Sequence, residues 1–312
     1  MDELNARIGY PLELVVPHLE IDPLGDHILV SGSIVEGLGN CLSDIDLFIL
    51  TRSARPTARK FFFWSPASRW VDVECLTYAN LRHLVGRFRR VSPEFGGWVG
   101  HPSPSLADQD LYHRLSIALK LANPLSRMRL PRFDRASLQE EVAYTEISAA
   151  RSRWVDAVGA ARSGQIGQAM FVGQLCLDHI IDGYCALLGE TNPSVKWRKA
   201  KLLSVLHGGR DELEIFRFFN WYNELKELTP STVFLRISGV ALLLFFVMQR
   251  FFCVRTFTIP RTCPAYSRRL EYTPQAVYSV DSEGRIELAA KAEMTQRGDP
   301  AAALRALLQY RD

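Results

Sequence analysis

Two aspartates stand two positions apart at the start of an apolar run, and a glycine–serine pair precedes them by a ten-residue spacer. They are Asp44 and Asp46, preceded by Gly32 and Ser33. On a strand, side chains two apart point to one face, with α-carbons about 6.6 Å apart. Carboxylates so placed repel each other unless a cation lies between them. Oxygen ligands of this kind suit Mg²⁺, which completes its shell with water and substrate phosphates.

A phosphate anchor and a further pair of acids complete this set. Gly32 allows close backbone approach, and N–H groups with the Ser33 hydroxyl can hold phosphate oxygens. Asp72 and Glu74 alternate with apolar residues in the run 70–76 and therefore share one face of a predicted strand. A phosphate anchor, a metal site and a spare carboxylate serve phosphoryl or nucleotidyl transfer by metal-ion catalysis. The chain lacks GxxxxGK[ST], which excludes a P-loop.

Read together as GSIVEGLGNCLSDIDLFIL followed by VDVEC, these residues resemble the DNA polymerase β-like nucleotidyltransferase superfamily. The resemblance spans residues 30–76. It is especially close to the small-molecule branch, the aminoglycoside nucleotidyltransferases, which carry a similar GSxxxGxxxxxSDIDL run. It implies transfer of AMP from ATP to a small-molecule acceptor, with Mg²⁺ as cofactor and release of pyrophosphate.

The resemblance also implies a role for each residue. The glycine–serine pair would contact the β- and γ-phosphates of a nucleoside triphosphate, and Asp44 and Asp46 would hold one or two Mg²⁺. Asp72 or Glu74 would be the third acid, as a metal ligand or as the base for the acceptor hydroxyl. The longer reach of Glu74 favours it as base, with Asp72 as the added ligand. A structural interpretation stays open, in which Asp44 caps a turn and Asp46 starts a solvated strand edge.

A basic cluster early in a predicted helix supplies further phosphate ligands. Lys196 and Lys199, with Arg198 between them, could reach the triphosphate, because related helical domains often supply such a residue. The alternative is a solvated helix face with Trp197 in the core.

Three other groups have two interpretations each. Asp178, His179 and Asp182 share a helix face and form either an acceptor-binding group or a polar surface. The aromatic residues of 216–222 line a cleft or belong to the core. The basic run 87–90 is short and isolated, so nucleic acid is not expected as a partner.

Two further functions stay open beside transfer to a small molecule. One is nucleotidyl transfer to a protein or tRNA, as in toxin–antitoxin systems, although the helical half lacks the Arg-x(4–6)-His run of some partnered ribonucleases. The other is nucleotide binding without catalysis, against which the third acid counts because binding alone does not need it.

The elements that must position these residues are strands. The runs 27–30, 44–50 and 70–76 predict strands of a sheet covered mainly on one face. From residue 106 the periodicity is helical, and predicted helices cover 110–122, 137–162, 164–189, 193–208, 211–228 and 231–253. The fold expected is α+β. A nucleotidyltransferase domain over 1–105 precedes a helical bundle over 106–253 and a hairpin-plus-helix region over 254–312 with no assigned role.

Composition adds limits. The chain has 312 residues and a net charge of +3, too slight to argue for nucleic acid or a membrane surface. Its six cysteines show no metal-ligand spacing, which favours free thiols in a reducing cytoplasm. The apolar stretch 240–248 is far short of the roughly 20 residues of a membrane span. With no signal peptide at its N-terminus, the protein is expected in the cytoplasm.

Overall fold

The predicted strands lie next to one another in a five-stranded mixed sheet. A computed structural model describes residues 2–8, 10–19, 26–52, 59–89, 104–122, 130–206 and 210–224, scattered positions from 229 to 247, and residues 277–280 and 286–289. The strands are β1 (His27–Ser31), β2 (Ile45–Thr51), β3 (Arg59–Trp64), β4 (Arg69–Thr77) and β5 (Leu119–Ala122). Their order is β3-β4-β2-β1-β5, with β2 and β4 parallel and the other neighbours antiparallel.

Alternation along the strands separates a buried face from a face that carries the acids. Leu47 of β2 and Val71 of β4 are fully buried, in one core cluster with Leu12 of the N-terminal segment. Asp46 precedes Leu47 and Asp72 follows Val71, so both aspartates point to the opposite face. The N-terminal segment contains α1 (Asp2–Ile8) and a 3₁₀ helix, Leu12–His18.

Two helices pack near the acid-bearing face. α2 (Tyr78–Arg89) contacts β4, and α3 (Leu106–Ile117) contacts α2 and β1. The rings of Phe88 and Tyr112 fasten the two helices together, since both are fully buried with centroids 4.1 Å apart. Ser105 caps α3 by a reciprocal bond with Asp108, which defines where the helix begins.

The predicted helix over 110–122 is wrong in its second half. α3 ends at Ile117, and Leu119–Ala122 is a strand that pairs with β1. No glycine or proline marks this change in the sequence, so the strand is decided by the open edge of β1 rather than by local signals.

The second part of the chain is helical, as predicted. Gly164 and Gly189 bracket α5 (Ile166–Leu187) and adopt left-handed φ angles of 72° and 101°. The start of α4 (Arg135–Arg162) differs from the prediction, because Asp134 rather than Ser137 provides the cap. Asp134 accepts from the Ala136 backbone N–H at 3.2 Å and from the Ser137 hydroxyl at 2.6 Å. The helices are α4 (Arg135–Arg162), α5 (Ile166–Leu187), α6 (Arg198–Val205) and α7 (Arg210–Glu224).

The segment after Asn192-Pro193 begins differently from the predicted helix. A 3₁₀ turn, Val195–Trp197, precedes α6, and the Asn192 side chain accepts from the Ser194 backbone N–H at 2.8 Å. Within 231–253 the described helical positions include the buried Leu243 and Val247.

The chain forms two units, which differ from the predicted domains. The first comprises Met1–Ser92, Pro102–Leu138 and Asn192–Trp197, and the second Pro93–His101, Gln139–Thr191 and Arg198–Asp312. Residues 106–138, expected in the helical domain, lie with the sheet because α3 and β5 contact β1. The fold is α+β, as the sequence predicted.

Near the C-terminus, β6 (Val277–Val280) and β7 (Ile286–Ala289) pair antiparallel, which confirms the predicted hairpin. The helix predicted over 300–309 lies outside the described residues. Every helix in the described ranges is too short or too polar to cross a membrane. The four cysteines in the same ranges are free thiols.

Candidate active site

The predicted acids lie side by side across the sheet. In the strand register Asp46 is paired with Ser31 of β1 on one side and with Asp72 of β4 on the other. Paired residues in neighbouring strands share a face. Glu74 lies two positions beyond Asp72 on that face, and Asp44, half-buried, directly precedes β2. The structure therefore gathers all four acids that the sequence singled out.

The turn that follows β1 comes into contact with Asp46. Gly32 adopts φ +80°, and a β-carbon at this position would lie 1.9 Å from Oδ2 of Asp46. Only glycine combines that backbone conformation with so close an approach. Beyond it, the Ser33 carbonyl accepts from the N–H groups of Leu38 and Gly39 at 2.9 and 2.8 Å, which closes a compact turn. Gly32 thus lies beside Asp46, and Ser33 follows it in the same turn.

Asp46 lies in an environment that disfavours its charge. Burial raises the pKa of its carboxyl to about 6; Arg114 opposes the rise, and the negative charges of Asp44, Asp72 and Asp110 add to it. A carboxylate so placed is expected to attract a cation strongly.

Arg114 of α3 provides a cation that sequence reasoning missed. Its guanidinium donates to Oδ1 of Asp46 at 3.1 Å and to Oε2 of Glu74 at 3.5 Å, and lies 3.9 Å from the Asp110 carboxylate. Its terminal carbon lies 4.7 Å from the centre of the Phe48 ring. Arg114 and Asp46 are 68 residues apart, so no local pattern could have joined them.

The residues fit a divalent metal ion by their chemistry. Among the described residues, no group of three or more histidine, cysteine, aspartate or glutamate side chains is arranged to hold a metal. Mg²⁺ needs fewer protein ligands, because it usually takes one or two carboxylates and completes its shell with water and phosphate. Asp44 and Asp46 supply such oxygens. The guanidinium of Arg114, which is a side-chain cation and not a metal ion, lies beside Asp46.

Two polar contacts of Glu36 hold the turn in place. Glu36, three residues after Ser33, pairs with Nε2 of the buried His113 at 2.8 Å, and accepts from the Asn192 amide at 2.5 Å. His113 neighbours Arg114 on α3, so one helix contacts both the acids and the turn. His113 is a hydrogen-bonded residue, as expected of the isolated histidines.

The two lysines predicted to bind phosphate lie in different units. Lys196 belongs to the first, exposed, with its ammonium 5.2 Å from the centre of the Trp197 ring. Lys199 is exposed on α6 of the second. Their contact with a triphosphate remains a prediction.

The neighbouring Arg198 is held by acidic side chains of α5. It contacts Asp182 at 2.7 Å and Asp178 at 3.0 Å, and the buried Lys201 contacts Asp182 at 2.9 Å. His179 pairs with Glu146 at 2.6 Å. Asp178 and Asp182 are therefore engaged in ion pairs within the helical unit, and His179 in a polar contact, on a face of α5 that is polar and partly exposed.

The aromatic residues of 216–222 belong to the core, because Phe218, Trp221 and Tyr222 are buried in one cluster with α5. In the basic run, Arg87 pairs with Asp108 and Phe88 is buried.

Comparison with known proteins adds little to this geometry. No protein-family model matches the chain, and no curated protein matches it in sequence. A solved structure of a nucleotidyltransferase-like protein from Exiguobacterium sibiricum is similar with a TM-score of 0.44 and 12% identity, over 80% of this chain and 82% of that one.

Proposed function

We propose that the protein is a Mg²⁺-dependent nucleotidyltransferase that transfers a nucleoside monophosphate, with ATP as donor, to a small-molecule acceptor. The proposal combines the resemblance of residues 30–76 to the polymerase β-like superfamily with the geometry of the first unit. It includes the finer suggestion that the chain is related to the aminoglycoside-modifying branch.

One observation carries the proposal: the approach of Gly32 to Asp46, in which the position of a β-carbon would fall 1.9 Å from Oδ2. A turn suited to phosphate oxygens thus adjoins a carboxylate suited to a cation. A reaction at a phosphate needs both groups within a few ångströms, because the negative charges of phosphate and carboxylate have to be bridged.

Each residue of the site has a role in this reaction. Gly32 and Ser33 bind the phosphates that leave, and Asp44 and Asp46 hold the divalent ion. When bound, that ion supplies neutralisation of the phosphate charge and alignment of the reacting groups. Asp72 or Glu74 takes the proton of the acceptor hydroxyl; Asp72 is buried, whereas the Glu74 side chain is 30% exposed and reaches Arg114.

Pyrophosphate release tests the proposal. The purified protein is incubated with ATP, MgCl₂ and a panel of hydroxyl-, amine- and carboxyl-bearing acceptors. Mass spectrometry then identifies products that have gained the mass of one nucleoside monophosphate. The Asp46→Asn variant should lose release by at least about a thousandfold. Asp156→Asn, which removes an exposed charge from α4, is the matched control. Equal release by Asp46→Asn and the wild type would contradict the assignment.

A second function is favoured by one observation, the guanidinium of Arg114 beside Asp46 and Glu74. A chain that binds nucleotide without catalysis would keep the turn and neutralise the acids with its own arginine. Calorimetric binding of ATP, together with no product on any acceptor, would support this function in place of transfer. Transfer of label from ATP to macromolecules in a lysate would instead indicate a protein or tRNA acceptor.

A further inference from the structure

Three large aromatic side chains are exposed together at one edge of the sheet. Phe61 and Phe63 of edge strand β3 and Trp70 of β4 are 59%, 51% and 48% exposed. The Phe61 and Trp70 rings stack with centroids 4.7 Å apart and planes 3° from parallel, and Phe63 meets Trp70 at 5.4 Å. Solvent-facing sheet positions ordinarily carry polar residues, so clustered rings there indicate a surface that binds something. We call these three residues the aromatic platform.

The aromatic platform lies on the same face as the acids. In the antiparallel register of β3 and β4, Phe61 is paired with Asp72 and Phe63 with Trp70. Directly paired side chains share a face, with β-carbons about 5 Å apart. On the other face of β3, Trp64 is buried in the core. The platform is therefore continuous with the candidate active site.

The order of the strands places the aromatic platform on the opposite side of Asp46 and Asp72 from the turn. From one edge inward the order is the platform on β3 and β4, Asp72 on β4, Asp46 on β2, and the turn that follows β1. With strands about 4.8 Å apart, β3 and β1 are about 14 Å apart. In an in-line displacement the attacking and leaving oxygens lie on opposite sides of the phosphorus. If the turn holds the leaving phosphates, the platform stands on the side from which the acceptor attacks.

Charge and shape narrow the class of acceptor. A planar ring gains from stacking against an aromatic side chain, and a cation gains from lying over the ring face. The neighbouring Asp72 and Glu74, to which the proposed reaction assigns no metal ion, repel anionic groups. Single-stranded nucleic acid also stacks on aromatic residues, but its phosphates would meet these two acids. The surroundings therefore favour a neutral or cationic small molecule.

We propose that the aromatic platform is the acceptor subsite and binds a planar aromatic or heteroaromatic ring of a neutral or cationic small molecule. This rests on the proposed nucleotidyl transfer. The acceptor's hydroxyl oxygen forms a bond to the α-phosphorus, and the bond from that phosphorus to the bridging oxygen of pyrophosphate breaks. Pyrophosphate leaves with the electron pair, and the hydroxyl proton passes to Asp72 or Glu74.

Binding of 2-naphthalenemethanol tests the subsite without catalysis. Its affinity for the full-length protein is measured by saturation-transfer NMR in the absence of nucleotide and metal, beside its fully saturated decalin counterpart. The naphthyl alcohol should bind and the saturated alcohol should bind at least about fivefold more weakly. Because no turnover is needed, a failed pyrophosphate assay leaves this result intact, and the two proposals can fail separately.

Substitutions assign the binding to the platform. Phe61→Leu and Trp70→Leu should each weaken binding about fivefold, and Trp70→Phe should restore most of it. Phe171→Leu is the matched control, because Phe171 is 61% exposed on α5 in the second unit. Circular dichroism and urea unfolding identify any variant that fails to fold, in which case Phe63→Leu replaces it.

Four results would overturn the proposal. The first is equal binding of the two alcohols, and the second is wild-type affinity in Phe61→Leu and Trp70→Leu. The third is displacement of the naphthyl alcohol by ATP, which would assign the platform to the donor's base. The fourth is a platform-dependent interaction with another macromolecule, seen as binding of labelled oligouridine or as a dimer of the wild type that Phe61→Leu dissociates.

Discussion

Two arginine clusters within the described part of the chain differ in charge balance. In the Arg114 cluster, one guanidinium faces Asp46, Glu74 and Asp110. In the Arg198 cluster, Asp178 and Asp182 face two cations, Arg198 and Lys201. The second set is neutral within itself, whereas the first retains excess negative charge, with Asp44 and Asp72 adding to it.

That difference predicts a structural role for the Arg198 cluster and ligand binding for the Arg114 cluster. A balanced cluster of partly buried ions is satisfied by its own members, and removing one leaves another uncompensated. An unbalanced acidic cluster is unfavourable as it stands and is relieved when a cation arrives. We therefore expect the Arg198 cluster to stabilise the helical unit and the Arg114 cluster to act on a ligand.

The largest effects should come from replacing one aspartate in each cluster and comparing the loss of transfer with the loss of stability. Asp46→Asn should abolish transfer while changing the free energy of unfolding by less than about 1 kcal/mol, since the amide oxygen can still accept from Arg114. Asp182→Asn should lower the free energy of unfolding by about 3 kcal/mol, because Arg198 and the buried Lys201 lose a charged partner. Urea denaturation and the pyrophosphate assay measure the two quantities. A stability loss at Asp46 that matches the loss at Asp182 would remove the distinction.

Two glycines test how closely the turn approaches the acids. Gly32 and Gly164 both have left-handed φ angles, of 80° and 72°. An added β-carbon at Gly32 would collide with Asp46, whereas at Gly164 it would meet nothing within 4 Å. Gly164→Ala should cost about 1–2 kcal/mol in unfolding free energy, and Gly32→Ala at least about 3 kcal/mol with loss of transfer. Equal costs would mean that the turn can move away from Asp46 freely.

Replacing each arginine tests whether a metal ion can take its place. Arg114→Met removes a positive charge within 4 Å of three carboxylates, so the affinity for Mn²⁺ should rise at least about tenfold. Arg198→Met should show no such gain, because Lys201 still faces Asp182. Isothermal titration calorimetry of the metal alone gives both affinities. Unchanged Mn²⁺ binding in Arg114→Met would show that the guanidinium does not compete with a cation.

The smallest effect concerns pH in the Arg198 cluster. Burial raises the pKa of Asp178 above its ordinary value, and Arg198 opposes the rise. Because the folded state holds this proton more tightly than the unfolded state, the wild type should lose stability relative to Asp178→Asn as pH rises from the ordinary value of 3.8 through the raised one. Urea denaturation at a series of pH values from 3.5 upward measures the difference. A difference that grows in the opposite direction would show that the ion pair with Arg198 outweighs burial.

Local patterns revealed the strands that carry the acids and missed two others. β2 and β4 have acids on one face and apolar residues on the other, which the period of two makes visible. β3 escapes the same reasoning because both of its faces carry aromatic residues, with Phe62 and Trp64 on the core side and Phe61 and Phe63 on the other. β5 follows α3 without a helix-breaking residue, so its pairing with β1 determines it.

The same limit applies to the site. The two-residue spacing reveals each pair of acids, Asp44 and Asp46 at the start of β2 and Asp72 and Glu74 within β4, and the register of β2 with β4 brings the pairs together. Arg114 and the aromatic platform have no such signal, since their positions depend on how α3 and β3 pack onto the sheet. Lys196 and Lys199 show the converse, because closeness in sequence does not keep them in one unit.

The first unit is assembled from three separate stretches of the chain, the last of which is Asn192–Trp197. Asn192 supplies the amide that reaches Glu36, so one of the contacts that hold the turn after β1 comes from a residue made much later in synthesis. During translation, the turn after β1 would therefore wait for most of the helical chain before acquiring its full set of hydrogen bonds. A shortened protein ending before Asn192 would keep every acid of the site yet lack that final attachment.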